Sequence, residues 1–260
     1  MINKSNLAEK VVFASKAGKL SRTTRLGIII TAILTFLLFA ISFYGLEAGN
    51  FTFTVDELAN DVGITLYDNQ LEKEFTTRLF AQKVDQADGM TALCGTGYTT
   101  RPIGHEQCIP SDEELVSVDG SNNGESYIAY TFYLTMVGPS NYMTDVVSTV
   151  DIIQTSMGAE EALRVRVIID GEGTTYAMRQ SEMGDNPGEL EPYTESFTTS
   201  NLVMKKVFSD FVPNEVKKIT IVIWYEGEDA DHNPNIWSGG VKLAMNFTIS
   251  NTRNIDEEEN

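Results

Sequence analysis

In "SYIAYTFYLTM" every second residue is large and apolar: Ile128, Tyr130, Phe132, Leu134 and Met136 fall on one side of an extended chain. Tyr127, Ala129, Thr131, Tyr133 and Thr135 fall on the other. Strand side chains alternate between two faces, whereas helix faces repeat every 3.6 residues, so this spacing demands a β-strand. The pattern recurs. Leu163, Val165, Val167 and Ile169 alternate with Arg164 and Arg166; Ile219, Ile221, Ile223 and Tyr225 share a face, as do Val241, Leu243, Met245, Phe247 and Ile249. Each run reads as a strand packed on a core from one side, with its other face polar. The tip Gly171-Glu172-Gly173 reads as a three-residue hairpin loop, returning through Tyr176 and Met178.

Helical pattern is scarce beyond residue 50. "SMGAEEAL" (156–163) has room for two turns, "NLVMKKVFSDF" fits strand or helix, and 179–196, broken by Gly184, Pro187, Gly188 and Pro192, reads as a loop. With no βαβ alternation, the expectation over residues 49–250 is an all-β, two-sheet antiparallel sandwich of jelly-roll or Ig-like kind, the length favouring a jelly roll. Residues 251–260 read as an acidic, disordered tail.

Ahead of the sandwich, Leu26 to Leu46 carries no charge. About 20 apolar residues cross a bilayer as a helix, so 26–46 is expected to be one transmembrane signal anchor. The run exceeds the ~7–15 apolar residues of a cleaved signal peptide. Residues 1–25 hold six basic side chains (Lys4, Lys10, Lys16, Lys19, Arg22 and Arg25) against Glu9, a balance of +5. Basic flanks stay inside, so 1–25 is expected to be cytoplasmic and the C-terminal domain extracellular, at the cell membrane. The remaining residues carry 13 basic and 36 acidic side chains, or −23. Such a domain repels nucleic acid. The expected partners are the membrane, through one helix, and outside it copies of the same chain or a glycan or other envelope polymer.

Cys94 and Cys108 both lie on the outer side of the anchor, where a cysteine pair reads as a disulfide.

The densest polar stretch is "WYEGEDADHNPNIWSGG" (224–240). Asp229, Asp231 and Asn233 occupy the first three ligand positions of a calcium loop, with Glu226 and Glu228 available to complete an oxygen shell. Pro234 stands where the loop needs glycine, and Gly240 where it needs glutamate. These five residues are therefore candidate calcium ligands on a segment that otherwise reads as a solvated hairpin loop between two strands. Trp224 and Trp237 flank it and are candidate ligand-binding aromatics, of the kind that stack on sugar rings. No G-x-S-x-G, H-E-x-x-H, P-loop or C-x-x-C motif occurs, so the expectation is non-catalytic.

The segments "AGNFTFTVDE", "GITLYDN", "NGESYIAYTFYLTMVG", "KKITIVIWYEGEDAD" and "GGVKLAMNFTI" resemble those of a set of single-pass bacterial surface proteins with an all-β ectodomain. In architecture alone, the chain is distantly similar to the camelysin-like biofilm-fibre proteins. The resemblance implies a membrane-anchored extracellular sandwich acting in surface binding or assembly, with no assigned reaction. The alternative is a carbohydrate- or calcium-binding accessory module of an envelope system.

Overall fold

The computed structural model describes residues 27–35, 51–84, 88–94, 108–138 and 142–254. The chain divides into two units, Met1–Gly49 and Asn50–Asn260. In the first, residues 27–35 are helical (α1). No helix among the described residues is long and apolar enough to cross a membrane. Leu26 and residues 36–46 of the expected anchor lie outside the described residues.

The second unit is built mostly from strands: β1 (Phe51–Val55), β2 (Ile64–Tyr67), β3 (Arg78–Ala81), β4 (Gly120–Ser121), β5 (Tyr127–Met136), β6 (Tyr142–Ser156), β7 (Leu163–Ile169), β8 (Glu172–Ala177), β9 (Glu195–Ser196), β10 (Leu202–Phe211), β11 (Val216–Tyr225) and β12 (Gly240–Asn254). Two short helices interrupt them, α2 (Glu57–Asp61) and α3 (Asp112–Leu115). One sheet has the order β10-β6-β12-β1-β3, the other β2-β5-β11-β7-β8-β9, with β4 on β5. The pairs are antiparallel except β1 with β12 and β8 with β9, which are parallel.

The alternating residues do what their spacing requires. Ile128 apart, which packs at its edge, the apolar face of β5 lies in the main core with Leu163, Val165, Val167 and Ile169 of β7 and Ile219, Ile221 and Ile223 of β11. Phe53 of one sheet meets Phe132 of the other at 4.5 Å between ring centroids, and Phe132 meets Phe247 at 5.9 Å. These aromatic contacts fill the space between the sheets.

The opposite face departs from expectation. Ala129, Thr131, Tyr133 and Thr135 are buried too. A second apolar layer, with Met90, Leu115, Ala129, Val222 and Trp224, sits on the outside of the seven-stranded sheet. Leu115 belongs to α3, which a capping box between Ser111 and Glu114 starts. A residue on this sheet is therefore sealed on both sides, and the small or hydroxylated side chains at 129, 131 and 135 suit that space. Thr131 and Thr220 satisfy each other at 2.8 Å.

Other expectations are corrected locally. The β7–β8 turn is Asp170-Gly171, both at positive φ, with Glu172 already paired to Ile169. Two central residues of positive φ make a two-residue type I′ turn, which matches the strand twist better than a three-residue loop. Residues 157–162 form turns rather than a helix, and 202–211 is a strand. β12 runs to Asn254, paired with Tyr142, so 251–254 belongs to the sheet and not to a disordered tail. Residues 255–260 lie outside the described residues.

Candidate functional site

β11 lies in the seven-stranded sheet and β12 in the five-stranded one. The segment between them is thus a crossover from sheet to sheet, not a hairpin loop. It doubles back over the outer face of the seven-stranded sheet, where cross-strand rows prepare a polar floor. One row is Ala177, Arg164, Trp224 and Tyr127; the next is Thr175, Arg166, Val222 and Ala129.

Arg164, 3 % exposed, donates to Asp229 Oδ2 at 2.7 Å and lies 3.2 Å from Glu191 Oε2. It also donates to its neighbour's carbonyl, Leu163 O, at 3.2 Å. Arg166 grips Asp112 with two hydrogen bonds, 2.8 and 2.6 Å, and Thr175 with a third of 2.9 Å. The planar guanidinium fork suits this bidentate geometry. α3 places Asp112 there, and the crossover places Asp229.

The five candidate calcium ligands are where the sequence put them but not in the environment it suggested. Glu226, Asp229 and Asp231 are buried, not solvated. Glu226 accepts from Trp224 Nε1 at 3.1 Å and from the Glu228 amide at 3.4 Å. Asp229 Oδ1 accepts from the Asp231 amide at 2.8 Å, and Asp231 accepts from Ser181 Oγ at 2.9 Å. Asn233 caps the Asn235 amide and donates to the Asp231 carbonyl. Each of the three buried carboxylates already accepts from a separate protein donor. Among the described residues no group of three or more His, Cys, Asp or Glu is placed to hold a metal ion. The two tryptophans also part company: Trp224 is 2 % exposed and packs in the outer apolar layer, while Trp237 is 72 % exposed.

Over the polar floor lies a cleft of about 730 Å³. The loop 179–194 contributes Gln180, Asp185, Glu191 and Tyr193 to one wall; Leu93, Ile109 and Pro110 stand on another. The disulfide between Cys94 and Cys108 ties together the two segments of that second wall. Met90 is stitched to the start of the crossover by its amide to Tyr225 O and by its carbonyl from the Gly227 amide, 2.9 and 2.8 Å.

Electrostatics mark the site. Among the ionisable lining residues, Asp112, Asp185, Glu191, Glu226, Glu228 and Asp229 oppose only Arg164 and Arg166. Burial raises the Glu191 carboxyl, the Arg164 guanidinium pulls it back, and the charges of Asp229, Asp231 and Glu226 push it up, to about 7. Burial also raises Glu226, against hydrogen bonds from Thr91 and Trp224. Glu161, beside Asp231, is raised by burial and by the neighbouring carboxylates. Sequence reasoning named Arg164 and Arg166 only as outward residues and missed Asp112 and Glu191. The available signal was two arginines on one face of a strand in an acidic chain.

No family model matches the chain, and no curated protein matches it. Among solved structures, a β-glucosidase from Kluyveromyces marxianus in complex with glucose aligns with 75 % of this chain at 11 % identity and a TM-score of 0.24. A selenomethionine-labelled β-glucosidase from the same organism aligns with 75 % at 12 % identity, again with a TM-score of 0.24. This chain spans 17 % and 18 % of those chains, and similarity at that level carries no argument about fold or function.

Proposed function

We propose that the chain is a membrane-anchored, extracellular, non-catalytic jelly-roll sandwich that binds a neutral carbohydrate of the cell envelope in the cleft over its seven-stranded sheet. The cleft carries this reading. It falls within the ~300–1,000 Å³ usual for small-ligand sites and sets one apolar wall, Leu93, Ile109 and Pro110, beside converging polar groups. Its two arginines are already paired, Arg164 with Asp229 and Arg166 with Asp112, so this part of the floor offers fixed, oriented donors and acceptors rather than a bare cation. That suits the hydroxyl groups of a sugar. Tyr193, 70 % exposed at the rim, offers a ring for stacking.

Strand order supports the jelly roll. β10-β6-β12-β1 and β5-β11-β7-β8 are two four-stranded arrays, and from β5 onward the chain changes sheet at β5–β6, β6–β7, β9–β10, β10–β11 and β11–β12, as two nested Greek keys require. The parallel β1–β12 pair is the local departure. The anchor is supported by α1, where Ile28, Ile29, Ile30, Ile33 and Leu34 are all more than half exposed. Thr31 and Thr35 return their hydroxyls to the carbonyls one turn back, both at 2.9 Å, leaving no polar side-chain group of either unsatisfied in lipid.

Calorimetric titration of the full chain against a panel of neutral envelope oligosaccharides tests the binding. Saturable binding that Tyr193→Ala weakens and Trp237→Ala leaves unchanged is the expected result. Binding lost in Trp237→Ala alone would move the site off the cleft, and no binding across the panel would end the carbohydrate reading.

A further inference from the structure

Residues 179–194 form one wall of the cleft, and none of them is fully buried; the Glu191 side chain, 11 % exposed, reaches furthest in. The loop is organised by its own hydrogen bonds: Gln180 N to Glu189 O at 3.0 Å, Gly188 N to Gln180 O at 2.8 Å, Asn186 N to Gln180 Oε1 at 2.9 Å and Arg179 Nη1 to Gly188 O at 3.0 Å. Ser181 donates to Asp231, Asn233 Nδ2 touches Met183 Sδ at 3.8 Å, and Glu191 sits on Arg164. Segments with few buried apolar contacts are the ones that open locally at low free-energy cost.

We propose that this loop is a gate over the cleft, latched by Glu191 on Arg164, that closes in mild acid and opens as the pH rises. It covers the cleft assigned above but needs no ligand to operate. The charged groups around the latch decide the direction. Arg164 comes from β7; Asp229, Asp231 and Glu226 come from the crossover; and Arg164 is already neutralised by Asp229 at 2.7 Å. Asp112 and Arg166 pair with each other on the neighbouring row. An ionised Glu191 therefore arrives as surplus negative charge among three carboxylates, and a protonated one does not.

The sign follows from linkage. In the closed gate the Glu191 carboxyl holds its proton up to about 7; once lifted into water it returns to the ordinary glutamate range. The closed form is thus the one that binds the proton more tightly. Its advantage is fully present below the ordinary glutamate value and is lost as the pH rises through the closed-state value.

Hydrogen–deuterium exchange of the full chain between pH 5.5 and 8.5, corrected for intrinsic rates, tests the gate. Protection of peptides from 179–194 is expected to fall roughly ten- to a hundredfold across that range, while β7 stays protected. Glu191→Gln, which keeps the shape of the protonated side chain, is expected to remain protected at every pH. Constant protection in the natural chain, a pH response that survives Glu191→Gln, or a parallel loss in β7 would each overturn the gate. Because the readout contains no sugar, a cleft that binds no carbohydrate leaves this result standing, and a static loop leaves the binding proposal standing.

Discussion

The guanidinium of Arg164 meets the carboxylate of Asp229 at 2.7 Å with 3 % and 1 % of the two side chains exposed. Sixty-five residues separate them in sequence. Buried pairs are weak stabilisers but costly to break from one side, because the survivor is left charged and dry.

Asp229→Ala is therefore expected to destabilise the fold by about 3–5 kcal/mol, with Glu191 only partly relieving Arg164. The double replacement Arg164→Met with Asp229→Leu is expected to cost less than Asp229→Ala alone. Denaturant unfolding of the natural chain and the two variants checks the order. A single variant milder than the double would show that the pair is not the buried unit described.

Calcium is expected to leave the melting curve unchanged. The carboxylates of 226, 229 and 231 already accept from Trp224, Arg164 and Ser181 in three directions. Thermal unfolding in millimolar calcium and in chelator compares the two directly. A ligand binding only the folded state at 100 times its dissociation constant adds ~2.7 kcal/mol, so a calcium site would raise the midpoint by several degrees.

Loss of the Cys94–Cys108 bond is expected to lower stability by roughly 3 kcal/mol in the chain-entropy account of a loop this long. Its effect should reach the cleft, since both cysteines border the wall formed by Leu93, Ile109 and Pro110. Cys94→Ser with Cys108→Ser, followed by melting and by exchange of peptides 88–94 and 108–111, measures both. Alkylation of the natural chain without reductant should modify neither sulfur.

Protease added to intact cells is expected to remove the sandwich and spare the N-terminal segment. The Lys and Arg excess lies wholly before residue 26, and in the proposed topology such a flank is the inner one. A C-terminal tag that resists digestion would reverse the proposed orientation.

Where β-strands lie was legible because their signal is local. The inward residues of β5, β7, β11 and β12 repeat every second position, and no helix can bury such a set. Pairing of Cys94 with Cys108 was legible for a related reason: with two cysteines there is one intramolecular choice. The type I′ turn at Asp170-Gly171 was missed by one residue because register across a hairpin depends on partner strands, not on the glycines alone.

By itself, then, the amino-acid order determined which segments extend, which faces of them are oily, and where charge and sulfur sit along the chain. Only the tertiary structure decided that β11 and β12 belong to different sheets, and with that the fate of everything between them. The acids at 226, 229 and 231 suit a wet turn by composition. They are buried because two donors distant in sequence, Arg164 and Ser181, meet Asp229 and Asp231 there, while Trp224, two residues away, meets Glu226. A buried charge is tolerable only with a partner, and no local pattern tells a carboxylate that an arginine from another strand will arrive. The same holds for the outer face of β5, whose Ala129 and Thr131 became interior only when α3 and the segment after Cys108 closed over them.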